Sequence, residues 1–328
     1  MHNFSIDNIF SIQSFEQFEQ IALEIFNYQA EDNSVYKEYL FHLGINASIV
    51  KKINDIPFLP IEFFKTHKVH IDNKEIKKEF YSSGTTGQRS THFIHDLSIY
   101  EKSFYTSFEN QYGKLDNTCI LALLPTYLEN ESSSLVYMVN HLITKSNHPD
   151  SGFYLDNIDE LAFKLDLLQK TNSQIILIGV SYALIDLAEK YPMNLSNTIV
   201  METGGMKGKR KELTKKELHN FLCAKLDLES VHSEYGMTEL LSQAYSAGTG
   251  QFSTPPWMKV FIRDTYDPFS YLEKGKSGGI NIIDLANIYS CSFIETKDLG
   301  KINSDDSFEI IGRFDYSDIR GCNLLVAE

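Results

Sequence analysis

Apolar residues recur at helical spacing from the start of the chain. Phe15, Phe18, Ile21, Ala22, Ile25 and Phe26 fall on one face, and Ser14 with Gln17 forms a capping box, so a helix is expected over Ser14–Asn27. A second helix over Asn33–His42 ends at Gly44. The stretch IPFLPIEFFKTHKV follows, in which Pro57 and Pro60 fix an extended path and leave Phe63 and Phe64 for packing. It carries no obvious chemistry and reads as a lid or brace. Glu79–Tyr81 and Thr91–His95 read as the two strands of a hairpin, followed by a helix over Leu97–Gln111. Thr118–Leu124 (TCILALL) and Gln174–Gly179 (QIILIG) are nearly unbroken apolar runs, the signature of strands buried on both faces. Thr198–Met201 is a third strand, and helical patterns cover Ser132–Ile143, Ile158–Leu168 and Ala183–Lys190. This alternation predicts an α/β fold with a mostly parallel sheet. After Trp257 the pattern changes to short strands with Gly/Asp turns, such as Gly279–Ile283 and Phe308–Ile311, which predicts a small β-rich subdomain. No internal repeat or low-complexity linker interrupts the chain.

Composition narrows the picture. The chain has 328 residues, 42% hydrophobic and 23% charged, which suits one large or two modest domains. A net charge of −14 with scattered lysine and arginine argues against a general nucleic-acid grip. The local basic knot of Lys207, Lys209, Arg210 and Lys211 reads as a solvated face before it reads as a site. The N-terminal MHNFSIDNIF lacks a basic region followed by an apolar core, so no signal peptide is expected. The longest apolar runs, near Ile175–Val180 and Cys119–Leu124, are too short for a transmembrane segment. The four cysteines, Cys119, Cys223, Cys291 and Cys322, stand far apart with no C-x-x-C. That spacing fits reduced thiols and a cytoplasmic protein rather than a disulfide framework or a zinc site.

Candidate chemistry gathers in five stretches. Tyr81-Ser82-Ser83-Gly84-Thr85-Thr86-Gly87-Gln88 packs hydroxyls and glycines into a loop able to turn amides and hydroxyls towards phosphate oxygens. It lacks the lysine of a Walker A loop, and its strand–loop–strand setting is not that of a P-loop ATPase; taken alone it could be a polar surface turn. Glu202-Thr203-Gly204-Gly205 leaves a strand, and its paired glycines would let a flat ring lie against backbone, though a simple turn reads the same way. Ser233-Glu234-Tyr235-Gly236-Met237-Thr238-Glu239 offers an aromatic face, a hydroxyl and a carboxylate, enough to stack a base, bond a phosphate and hold a divalent cation. The bland alternative is a buried tyrosine and a salt-bridged glutamate. Thr296-Lys297-Asp298-Leu299-Gly300 places an aspartate before a glycine turn, where it could accept from two ribose hydroxyls. Gly312-Arg313-Phe314-Asp315, followed by Ile319-Arg320-Gly321, supplies a fixed guanidinium fork.

In this order and spacing, SSGTTG, GG, YGMTE, TKDLG and GRFD…IRG resemble the adenylate-forming superfamily of acyl-CoA ligases, firefly-type luciferases and nonribosomal adenylation domains. The resemblance spans Tyr81 to the C-terminus. The entry LPIEFFK, the short length and the ending GCNLLVAE are most similar to the bacterial acyl-protein synthetases, the fatty-acid-activating subunits of the bioluminescence fatty-acid reductase; phenylacetate-CoA ligases are near neighbours. The resemblance implies ATP and Mg²⁺ as cofactors. Ser82, Ser83, Gly84, Thr85, Thr86 and Gly87 would wrap the β- and γ-phosphates, with Gly204 and Gly205 beside the adenine and Tyr235 stacked on it next to Gly236. Thr238 would bond the α-phosphate, Glu239 would hold the metal, and Asp298 would take the ribose hydroxyls with Arg313 nearby. Asp315 matches the family's hinge.

Two departures stand out. Gln88-Arg89 follows the loop where Lys or Pro is usual, and only thirteen residues follow Asp315. The expected organisation is therefore an adenylate-forming catalytic domain over 1–315, with a helical brace over 1–78 and the β-rich part over about 257–315. A short tail over 316–328 would stand in place of the usual C-terminal domain with its lysine. The expected reaction is carboxylate attack on the α-phosphorus of ATP, then acyl transfer to a thiol. Cys322 is the candidate acceptor, beside Arg320 and near the end of the tail, as the resemblance also implies; a buried terminal residue is the plain alternative. A CoA ligase using coenzyme A or a carrier thiol, and a silent scaffold holding a reductase or transferase subunit, are the rival readings. Tyr127, Tyr137, Met138 and Tyr182 could line an acyl pocket or belong to the core, and Cys119 is expected to be core.

Overall fold

A computed structural model describes residues 6–83, 88–125, 132–155, 157–204 and 213–314. Its strands in chain order are β1 (Leu59–Pro60), β2 (Lys78–Tyr81), β3 (Thr91–Ile94), β4 (Thr118–Leu123), β5 (Gly152–Tyr154), β6 (Gln174–Val180) and β7 (Thr198–Thr203), then β8 (His232–Tyr235), β9 (Ala244–Ser246), β10 (Gln251–Phe252), β11 (Met258–Arg263), β12 (Ser277–Asp284), β13 (Phe293–Ile302) and β14 (Phe308–Arg313). The helices are α1 (Ile6–Phe10), α2 (Phe15–Asp32), α3 (Ser34–His42), α4 (Phe63–Thr66), α5 (Leu97–Tyr112), α6 (Ser134–Ser146), α7 (Ile158–Leu168), α8 (Ser181–Lys190) and α9 (Lys215–Leu226).

The first sheet runs β5-β4-β6-β7-β8-β9, parallel throughout except for the antiparallel edge strand β9. Its centre is the pair of apolar runs read from sequence: every residue of β4 is buried, as are Ile175 to Val180 of β6. Cys119 is fully buried in β4, and burial pushes its thiol up to about 11. Carboxyl ends of parallel strands open onto connecting loops, so residues after β4, β7 and β8 share one rim. Helix α9, with a complete Thr214/Glu217 capping box, was not expected. Its apolar positions Leu218, Leu222 and Leu226 follow i, i+4, i+8, but they are diluted by lysines.

The second sheet runs β10-β14-β13-β12-β11 with antiparallel neighbours. The sequence reading of Thr296–Gly300 as a turn is corrected here, because these residues lie inside the ten-residue strand β13. One edge of β13 pairs with β12; the other is shared by β1 near its start and β14 along its second half. A register shift between Leu299 and Gly300 absorbs the glycine that suggested a turn.

The N-terminal helices clamp this sheet. Phe26, Tyr36 and Phe58 surround Phe293 at ring-centroid distances of 6.0, 6.1 and 6.4 Å. Gln29 donates to the carbonyls of Asn287 and Ile288 (2.9 and 3.0 Å) and accepts from the Ser292 amide (2.9 Å). The LPIEFFK stretch is a stitch rather than a lid. β1 joins β13 in parallel, the Ile61 amide donates to the Glu295 carbonyl (3.0 Å), Glu62 pairs with Lys297, and Phe64 packs edge-on against His92 (5.8 Å). Among the described residues no helix is long and apolar enough to cross a membrane.

Candidate active site

The strands β2 and β3 pair on either side of the hydroxyl loop. Ser82 closes its base, since the Ser82 amide donates to the Ser90 carbonyl (3.0 Å) and Ser82 Oγ accepts from the Ser90 amide (2.9 Å). Ser83 is exposed just beyond. Gly84, Thr85, Thr86 and Gly87 lie outside the described residues, as do Tyr127, Gly205, Lys207, Lys209, Arg210, Lys211, Asp315, Arg320 and Cys322.

Three motifs distant in sequence meet at one carboxylate. Tyr235, the last residue of β8, donates its hydroxyl to Asp298 Oδ2 at 2.7 Å. Arg313 Nε lies 3.4 Å from Asp298 Oδ1, and the two residues face each other across the β13–β14 ladder. Asp298 is mostly buried while the guanidinium reaches solvent, its side chain 71% exposed. The Tyr235 ring packs against Phe252 and Phe308 at 5.9 and 5.6 Å and is only 8% exposed. Burial and the Asp298 charge push its phenol well above the usual value. A Cβ at Gly236 would press on Glu234 Oε1, so any larger residue there would have to move that carboxylate.

Thr238 and Glu239 occupy the turn after β8. Thr238 is half-buried, and Glu239 is 5% exposed. Burial raises the Glu239 carboxyl, while a bond from Ser90 and the charges of Arg313 and Lys65 pull it back. A carboxylate so desolvated gains from a cation, and Mg²⁺ commonly takes one or two protein carboxylates with phosphate and water oxygens. The donor set therefore fits that ion; no larger cluster of metal-ligating side chains stands among the described residues. The turn is held from behind. The Thr238 carbonyl accepts from His92 Nδ1 (2.8 Å), the Glu239 carbonyl from Asn287 Nδ2 (2.8 Å), and Asp284 accepts from the Leu241 and Ser242 amides (2.8 and 2.9 Å).

A second buried group adjoins the rim, and its charge pairing was not expected from sequence. Glu202, at the end of β7, meets Lys215 Nζ at 2.5 Å and His219 Nε2 at 3.6 Å. Burial raises its carboxyl, but the bond from His219 and the Lys215 charge outweigh that and hold it near 2. Glu234 accepts from Thr203 Oγ1 (2.5 Å), and burial pushes it up to about 7. Gly204 follows with φ +68°, in the left-handed region that favours glycine, and its carbonyl accepts from Ser181 Oγ at the start of α8 (3.0 Å). In sequence the two glutamates fall in the stretches Glu202–Gly205 and Ser233–Glu239, but nothing there marks their burial or the approach of Lys215 and His219. The suggested acyl-pocket residues divide: Met138 and Tyr182 are buried, the latter donating to the Pro125 carbonyl (3.2 Å), while Tyr137 is half-buried and donates to Glu101 (2.6 Å).

A family model described as "Acyl-protein synthetase, LuxE" matches residues 10–328. Two curated relatives are named long-chain-fatty-acid–luciferin-component ligase. That of Vibrio harveyi is 25% identical over 92% of this chain and 85% of its own length. That of Aliivibrio fischeri is 22% identical over 94% and 87%. Among solved structures, a 2-hydroxyisobutyryl-CoA ligase in the thioesterification state superposes with TM-score 0.70 at 13% identity, covering 96% of this chain and 74% of that one. ATP-bound MatB from Rhodopseudomonas palustris gives 0.56 at 17% identity, and this chain spans only 49% of its length. These likenesses establish the adenylate-forming fold.

Proposed function

Since the chain belongs to the acyl-protein synthetase family, we propose that it is a ligase that activates a fatty acid with ATP and passes the acyl group to a thiol. The observation that carries this reading is the convergence of β8, β13 and β14 on Asp298, with Tyr235 and Arg313 bonded to it. Asp298 offers carboxylate oxygens to ribose hydroxyls, and Arg313 offers a cation to the phosphates beside it. The Thr238 hydroxyl bonds the α-phosphate. Glu239 would hold Mg²⁺, which supplies charge neutralisation at the phosphates.

In the first step a carboxylate oxygen of the acid bonds to the α-phosphorus, and the bond to the β-phosphate bridge oxygen breaks. The products are the acyl-adenylate and pyrophosphate. Catalysis lies in alignment and charge placement rather than in covalent help from the protein. In the second step a thiolate attacks the acyl carbonyl, a thioester forms and AMP departs. Cys322 is the acceptor in this reading, as a thiol near the chain end beside Arg320. A reductase or transferase subunit then receives the acyl group.

The relatives' names point to a long aliphatic acid. The direct test is ATP–pyrophosphate exchange over a panel of carboxylic acids. Exchange that rises with alkyl chain length supports the reading. Exchange only with aryl acids transfers it to an aryl ligase, and none with any acid leaves a scaffold.

A further inference from the structure

His92 on β3 and Asn287 after β12 are far apart in sequence, fully buried, and directed at the same turn. They donate to two successive carbonyls, those of Thr238 and Glu239, each at 2.8 Å. Because a carbonyl only accepts, His92 must carry its proton on Nδ1, which leaves Nε2 as an acceptor. Asn287 donates through Nδ2, which leaves Oδ1 as an acceptor. Both remaining atoms are buried with no bonding partner. Both residues line one cavity of about 10 Å³, the room of a single water. A water has two protons to give, enough to serve two buried acceptors on one cavity. His95 Nε2, on a third lining residue, is another unpartnered acceptor.

Apolar side chains at both positions would fill the space but would take the donors away from the Thr238 and Glu239 carbonyls, and Phe64 lies edge-on to the His92 ring. What the two polar residues add is a fixed place for the Thr238–Glu239 backbone, to which Asp284 adds a third anchor two residues on.

We propose that His92 and Asn287, joined through one buried water, are positioning residues that set the Thr238 hydroxyl and the Glu239 carboxylate for the nucleotide phosphates and their divalent cation. The proposal rests on the nucleotide-site reading above. Neither residue touches substrate. Their effect appears in metal and nucleotide affinity, because a small displacement of the groups aligned on the phosphates and the cation is costly.

Two measurements on the full chain test it: Mn²⁺ binding in the presence of a non-hydrolysable ATP analogue, followed by electron paramagnetic resonance, and the Mg²⁺ dependence of pyrophosphate exchange. His92→Phe should weaken nucleotide-dependent Mn²⁺ binding and raise the half-saturating Mg²⁺ by about tenfold, the loss expected for one buried hydrogen bond. The KM for the acid should stay within about twofold. His92→Asn, whose amide nitrogen can take the place of Nδ1, should remain within about threefold of wild type. His92→Gln, whose amide falls at the Nε2 side, should behave like His92→Phe, and the Asn/Gln pair decides the matter if His92→Phe does not fold. Wild-type metal affinity in His92→Phe overturns the proposal. So does an equal loss in all three variants that tracks their thermal stability. If wild type binds neither nucleotide nor Mn²⁺, the nucleotide-site reading fails and this proposal falls with it.

Discussion

Glu234 lies fully buried beside Tyr235, and burial pushes its carboxyl from 4.5 up to about 7. Between those values the folded state binds more protons than the unfolded chain, so stability falls as pH rises from 4.5 through 7. Glu234→Gln keeps an acceptor for Thr203 and removes the ionisation. It should match wild type near pH 4.5 and exceed it by a few degrees in thermal midpoint at pH 8, as a pH series of melting curves would show. A midpoint difference that does not change with pH would mean the carboxyl is not the titrating group. At the same scale, Glu239→Gln and Asp298→Ala remove the two carboxylates that the proposed function assigns to metal and ribose. Both should lose acid-dependent pyrophosphate release, by about 100-fold or more, while retaining wild-type circular dichroism. Asp298→Ala should act chiefly through nucleotide affinity, since the proposed function sets it beside the ribose. Wild-type release by both variants would remove the nucleotide site from this part of the fold.

The decisive element is strand β13. It carries Asp298, pairs with β12 on one edge, and on the other is shared between β1 and β14. Gly300 holds that arrangement, because a Cβ there would collide with the Glu309 carbonyl of β14 and press on the Ile280 side chain. A backbone carbonyl in a ladder cannot move aside without breaking pairing, so Gly300→Ala should lower stability by about 1–3 kcal/mol. Since the same ladder sets Arg313 opposite Asp298, nucleotide affinity should fall with it. Chemical denaturation and nucleotide titration on one preparation check both, and a variant with unchanged stability would show that the strands separate at little cost. The LPIEFFK stretch belongs to this element as well. Its prolines announced an extended path, yet its role as partner of β13 depends on a strand that lies more than two hundred residues later.

At the scale of the whole molecule, the proposed adenylation and acyl transfer are separable because the reading assigns them to different parts of the chain. Thr238, Glu239, Asp298 and Arg313 lie in the described fold, whereas Cys322 lies beyond Arg313 in sequence. With ATP, Mg²⁺ and its acid, the wild type should gain one acyl mass on Cys322 that neutral hydroxylamine removes. Cys322→Ser should still exchange pyrophosphate, but it should hold no hydroxylamine-sensitive acyl group, a hydroxyl being far less nucleophilic than a thiolate. Intact-protein mass spectrometry reads the adduct. If none forms while added coenzyme A is acylated equally by both proteins, coenzyme A is the acceptor and Cys322 has a structural role.

The sequence by itself determined the α/β class, the buried strands β4 and β6, and the order of the motifs. Those features are written locally: in unbroken apolar runs, in helical periodicity, and in glycine where the backbone turns left-handed, as Gly204 illustrates. The site's electrostatics were not legible in that way. A glutamate such as Glu202 or Glu234 looks alike in sequence, yet one is held near 2 and the other pushed to about 7. The difference lies in Lys215 and His219, which reach Glu202 from a helix the pattern did not announce. Likewise His92 and Asn287 carry no motif. They gain their place only when β3 and the segment after β12 are folded against one turn, because pairing and burial are properties of neighbours in space, not in sequence.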